Sequence, residues 1–201
     1  MICAYHIERH KIYHSYSKLK KHIYVTSNNF YKSIVAQDLM LKAYTSSPHK
    51  TPRPVMINLH TSPGGNVDTV LASGGILTII SGQYPKWTRA HAAMAGFKLR
   101  EGQLLGCRVS LRNLYMWNFL NKLINISWTQ NREYNGIYFN QFDRDGHFSV
   151  GCKDLLIFPE LEYVWDIVPN VDGLDINFVS SHKLRKINLC LWSALQIPLK
   201  R

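Results

Sequence analysis

Acidic side chains are scarce in this 201-residue chain: 13 Asp and Glu stand against 24 Lys and Arg, a formal charge of +11. Cysteine is scarce as well, and Cys3, Cys107, Cys152 and Cys190 are widely scattered. A chain of this length builds a core without staples, so a disulfide framework is not expected and a reducing compartment is. No apolar run approaches the roughly 18 residues that a membrane-crossing helix needs. Repeats and low-complexity tracts are lacking too. A hydrophobic fraction of 46% with 18% charged residues speaks for one folded domain rather than a disordered chain. What is present is a basic excess large enough to point first to a polyanion, because each cation that neutralises a phosphate releases condensed counterions.

That excess is uneven. Residues 1–132 hold 17 basic and 4 acidic side chains, whereas residues 133–201 hold 7 and 9. One concentration comprises Arg9, Lys11, Lys18, Lys20 and Lys21, interleaved with His6, His10, His14 and His22. A second comprises Lys86, Arg89, Lys98, Arg100, Arg108 and Arg112, opposed only by Glu101. Such polarity predicts one face on a polyanion and another turned elsewhere.

Residues 1–28 read as a basic N-terminal extension, and residues 29–201 as one domain. The extension lacks the apolar stretch of a secretory signal. Apolar spacing predicts a helix over 30–44, ended by Pro48, Pro52 and Pro54. Residues 55–60 alternate as a strand, and Ser62-Pro63-Gly64-Gly65 turns it. A helix is expected over 67–80, weakened by Gly74 and Gly75, then an irregular basic excursion over 86–100 and a strand over 107–111. Met116, Trp117, Leu120, Leu123 and Ile124 mark the clearest amphipathic helix. Strands are expected over 155–158 and 174–179, and a closing helix over 187–195. The fold class is therefore α+β, a two-layer domain with a mainly antiparallel sheet and helices packed on one face.

No catalytic constellation emerges. His6, His10 and His14 share a helical face, but no acidic ligand or HExxH accompanies them, and a basic arm lying on phosphate explains the same spacing. The glycines at 64–65 and 74–75 lack phosphate-loop and dinucleotide spacing and read as turns. Asp143, Asp145, Asp154, Glu160 and Glu162 pair with no histidine or metal motif. No metal and no cofactor are expected. Segment 81–112 combines six cations with small residues and with Tyr84, Trp87 and Phe97, aromatic groups suited to stacking on bases. RNA is favoured over DNA because helix-turn-helix, zinc-finger and basic-zipper patterns are absent.

Across that segment stand Ser81-Gly82-Gln83-Tyr84-Pro85, then residues 95–102 (AGFKLREG) and 106–112 (GCRVSLR). Further on come Met116-Trp117-Asn118-Phe119, the stretch 142–149 (FDRDGHFS), Ile157-Phe158-Pro159-Glu160-Leu161 and Gly173-Leu174-Asp175-Ile176. In this order, over about residues 30–201, the blocks closely resemble the bacterial-type large-subunit ribosomal protein L-five family. The resemblance implies a non-enzymatic protein that binds 5S rRNA, or a structural substitute for it, in the central protuberance of the large subunit. It implies rRNA-binding residues His60, Gln83 and Ser110, with Arg108 and Arg112 beside them in the basic segment. His60 stands where the family has Asn, Ser110 where it has Thr, and Asp172 where it usually has Arg. The loop carrying Arg89, His91, Lys98 and Arg100 is expected to face transfer RNA in the peptidyl site. Neighbouring central-protuberance proteins and a small-subunit head protein across an intersubunit bridge complete the expected partners.

Arg9, Lys11, Lys18, Lys20 and Lys21 are expected to add rRNA contacts from the extension. Together with the divergent first third, that extension predicts a mitochondrial ribosome; a plastid or the bacterial cytoplasm is the alternative. Met1 fits synthesis inside the organelle or an uncleaved import signal. The competing functions are an RNA-modifying or RNA-processing enzyme using the same basic surface, and a free RNA chaperone.

Overall fold

The computed structural model describes residues 28–44, 47–64, 66–131, 134–171 and 173–200. The expected extension contacts at Arg9, Lys11, Lys18, Lys20 and Lys21 lie outside these residues, as do His6, His10 and His14. Strand β1, Pro54–Thr61, is built on alternation: Ile57 and Leu59 are fully buried, while Asn58 and His60 point to the opposite face. It pairs antiparallel with β3, Leu104–Leu111, on one side and with β6, Leu174–Ser180, on the other. Two edge strands complete the sheet, β2 (Lys86–Arg89) beside β3 and β5 (Phe148–Cys152) beside β6. The order is β2-β3-β1-β6-β5, antiparallel throughout. Strands β4, Ile137–Tyr138, and β7, Leu199–Lys200, form a separate parallel pair.

The helices cover the inward face. A helix running from residue 28 passes through a π segment, Tyr31–Val35, into α1, Ala36–Lys42. Helix α2, Val67–Ser81, packs along β3 and ends at Gly82, whose φ of 68° provides the left-handed cap. Helix α3, Asn113–Lys122, continues through a second π segment, Leu123–Ser127. Helix α4, Arg185–Ala194, brings Trp192 against Phe148 and Phe178, with ring centroids 5.2 and 5.7 Å apart. The expected two-layer α+β architecture is the observed one.

Two local expectations are corrected. Gly74 and Gly75 sit inside α2 rather than in a turn, because Trp87 of β2 occupies the space of a Gly74 side chain; a Cβ there would lie 2.2 Å from the indole. Trp87 packs its ring edge over Gly74 and remains 38% exposed. The run 155–158 forms no strand. It makes 3₁₀ turns, Leu155–Ile157 and Pro159–Val164, whose buried residues Leu155, Phe158 and Leu161 recur every third position. Three residues per turn is the 3₁₀ period, and Pro159 supplies no N–H to a sheet ladder. The fifth strand is instead β5, within the block that follows the turn at 143–146.

Candidate nucleic-acid interface

Strand register, rather than sequence proximity, assembles the outward face. Lys86, Arg108, His60 and Asp175 are successive cross-strand partners on β2, β3, β1 and β6. One pleat further along, Ser110, Asn58, Asn177 and Ser149 form a second row on β3, β1, β6 and β5. Neighbouring strands lie about 4.8 Å apart, so each row is a continuous line of polar side chains. Arg112 extends the face past the end of β3, donating from Nη2 to Sδ of Met56, the β1 residue on the same side, at 3.8 Å.

The cations of this face form no ion pair among the described residues, and Asp175 stands two strands away from Arg108 in the same row. The ion pairs found among the described residues are Lys42–Asp38 at 2.6 Å and Lys122–Glu160 at 2.8 Å. Lys86, Arg89, Lys98, Arg100, Arg108 and Arg112 take part in neither. Strong positive potential on an uncovered sheet face follows, and it is what a phosphate backbone requires.

Beyond β2 and β3 the expected irregular excursion is an ordered hairpin. Ala90 N–H donates to Gln103 O at 2.8 Å and Gly102 N–H to Ala90 O at 3.0 Å. Met94 and Leu99 exchange two backbone bonds of 3.1 Å around a 3₁₀ tip, Ala95–Phe97. Arg89, His91, Lys98 and Arg100 are exposed on it, and the tip presents Phe97, 75% exposed. The hairpin thus carries its cations on a braced scaffold, with one free aromatic ring at its end.

Of the residues expected to bind rRNA, the fold brings His60, Arg108, Ser110 and Arg112 onto the outward face. Gln83 stands apart, half-buried in the turn after α2, where Ser81 Oγ bonds its backbone at 3.1 Å. Asn58, Asn177 and Ser149 belong to the face without having been singled out, and Lys86, known only as one of the basic cluster, joins them. The alternation of β1 already put Asn58 on the side of His60; for Asn177 and Ser149 the signal needed was the register.

The acidic side chains form no catalytic pair among the described residues. Glu160 is engaged by Lys122, which also donates to Ile80 O at 3.1 Å. Among the described residues no group of three or more His, Cys, Asp or Glu could hold a metal ion. A cavity of about 350 Å³ at the β5 edge is lined by Trp128, Tyr134, Val150, Cys152 and Asp154 among others, with no histidine. Burial, aided by the Asp175 carboxylate, pushes the Cys152 thiol up to about 11 from an ordinary 9.0. The folded chain therefore holds a proton that the unfolded chain releases. This contribution, about 2–3 kcal/mol, is complete below pH 9 and lost as pH rises towards 11. The stability difference between the protein and its Cys152→Ala variant is expected to shrink across that range in alkaline denaturant titrations; a constant difference would show that the thiol is not held protonated.

The sequence matches known proteins over most of its length. Residues 104–199 match the C-terminal region of the L-five-P family of ribosomal proteins. Proteins named large ribosomal subunit protein uL5 from three strains of Buchnera aphidicola subsp. Acyrthosiphon pisum (Tuc7, 5A and APS) are each 36% identical over 179 residues, covering 88% of this chain and 99% of the relative. No helix among the described residues is long and apolar enough to cross a membrane. The chain belongs to the uL5 family of ribosomal proteins, whose role is structural rather than enzymatic.

Proposed function

We propose that this protein is built into the large subunit of a mitochondrial ribosome, where its uncovered sheet face binds 5S rRNA or an RNA that takes its place in the central protuberance. The observation that carries this reading is the set of six cations, Lys86, Arg89, Lys98, Arg100, Arg108 and Arg112, that find no acidic partner among the described residues. Uncompensated arginines on a pleated face are costly to a free domain through self-repulsion, and phosphate relieves that cost. His60, Ser110, Arg108 and Arg112 hold this RNA from the sheet, and Gln83 from the adjoining turn. The braced hairpin at 89–103 reaches away from the sheet towards peptidyl-site tRNA, with Arg89, His91, Lys98 and Arg100 as its contacts. Neighbouring central-protuberance proteins and a small-subunit head protein across the intersubunit bridge complete the partners. The extension, residues 1–28, adds rRNA contacts through Arg9, Lys11, Lys18, Lys20 and Lys21.

Sucrose-gradient sedimentation of a mitochondrial lysate tests the assignment. The protein is expected in the large-subunit and monosome peaks at low salt, leaving both on RNase treatment. Protein confined to the top of the gradient overturns the ribosomal reading, and a signal confined to cytosolic ribosomes overturns the mitochondrial one.

A further inference from the structure

The second row of the outward face carries no charge at all. Asn58 and Asn177 are direct cross-strand partners in the middle of the sheet, flanked by the hydroxyls of Ser110 and Ser149. Cβ atoms in such pairs lie about 4.5–5.5 Å apart, so the two carboxamides stand side by side. Neither strand needs them for the core, because both lie on the face away from it. Asn58 is moreover incompletely satisfied: its Oδ1 is out of contact with solvent and has no hydrogen-bond partner. A buried acceptor left unpaired is unfavourable, and the terminal torsion of Asn is soft enough to turn that oxygen outward to a donor.

Phosphate cannot be that donor, since it only accepts at neutral pH. A neutral carboxamide can donate to a phosphate oxygen, but it releases no counterion and such a contact leaves its own oxygen unpaired. What a carboxamide does offer is a donor and an acceptor in one plane, which matches the paired groups on a base edge or the hydroxyl of a ribose. The charged row lies two residues along the strands, about 7 Å away. RNA whose phosphates follow Lys86 and Arg108 therefore lays its sugars or unpaired bases over the carboxamides. We infer that Asn58 and Asn177 form a base- or ribose-reading pair at the centre of the sheet, distinct from the cations that supply affinity. The inference rests on the RNA-binding reading above and adds a division of labour to it.

The test uses the full chain and a pool of RNA hairpins with randomised loops. The protein is expected to enrich a preferred loop. Asn177→Ala and Asn58→Thr, the latter keeping a β-favouring polar side chain, are each expected to weaken binding of that loop by roughly 5- to 150-fold. Their log affinity against log salt should keep the parent slope, whereas Arg108→Ala should make it shallower by about 0.7–0.9. Equal thermal stability of parent and variants excludes misfolding as the cause. Variants that retain the preferred loop at parent affinity overturn the inference. So does a parent protein that enriches no loop while still binding with a steep salt slope, an outcome that leaves the RNA reading intact. No RNA retained at any salt overturns both and assigns the face to a protein partner.

Discussion

Trp192→Ala is expected to lower the stability of this protein by about 3–5 kcal/mol, the range for removing a large aromatic side chain from a core. Trp192 is fully buried at the meeting of α4 with β5 and β6, edge-on to both Phe148 and Phe178. Those two rings stack on each other at 4.4 Å, so one indole closes a three-ring cluster spanning two strands and a helix. Refilling the void would require the stacked pair to move together, and both rings are anchored on paired strands. For a domain of this size the melting temperature should fall by roughly 6 to 20 °C. Trp192→Phe should cost only about 1–2 kcal/mol, because the cluster keeps a ring and sheds the indole N–H, which is buried without an acceptor. Thermal melts of the two variants provide the check. Equal losses for Phe and Ala would mean that the N–H carries a bond and that packing is not the dominant contribution.

Exchanging the three hairpin cations together, as Arg89→Gln, Lys98→Asn and Arg100→Gln, is expected to reduce the salt slope of RNA binding by about 2–3. Between 50 and 200 mM salt, three such contacts correspond to roughly a 20- to 40-fold difference in how far affinity falls. Asn is the choice at residue 98 because Lys98 has φ of 55°, in the left-handed region that Asn tolerates better than most residues. All three side chains are exposed and outside the ion pairs described above, so stability should move by no more than about 0.5 kcal/mol. Filter binding of ribosomal RNA and of tRNA across a salt series gives the answer for each ligand. A slope reduced for tRNA alone assigns the hairpin to tRNA; slopes unchanged for both remove it from the RNA-binding surface.

Much of the fold was legible locally. The period-two alternation of β1 announced a half-buried strand, and the spacing of Met116, Trp117, Leu120 and Leu123 announced α3. The misreadings have physical causes. At 155–158 a short apolar run gave no period by itself, and its three-residue spacing appears only when Leu161, beyond Pro159, is counted with it. Gly74 looked like a break because its partner, Trp87, comes from a strand thirteen residues on, and helix propensity yields about 1 kcal/mol to such a contact. The hairpin at 89–103 looked irregular because Ala, Gly and His carry little strand signal; backbone bonds from Ala90 to Gln103 and Gly102 order it regardless.

The sequence by itself determined the charge asymmetry, the lack of a catalytic constellation, the family blocks, and the list of cations available to a polyanion. All of these are properties of residues or of short stretches, and no fold is needed to read them. Only the tertiary structure decided which cations share a surface and whether anything beside them neutralises them. Lys86, Arg108, His60 and Asp175 come from four strands far apart in the chain, and their alignment depends on the order β2-β3-β1-β6-β5. A register shift of one residue would turn every one of these side chains to the opposite face. That register is set by the buried partners beneath them, Ile57, Leu59, Val109 and Ile176, against which the helices pack. The core thus places the polar face, although none of its residues belongs to it.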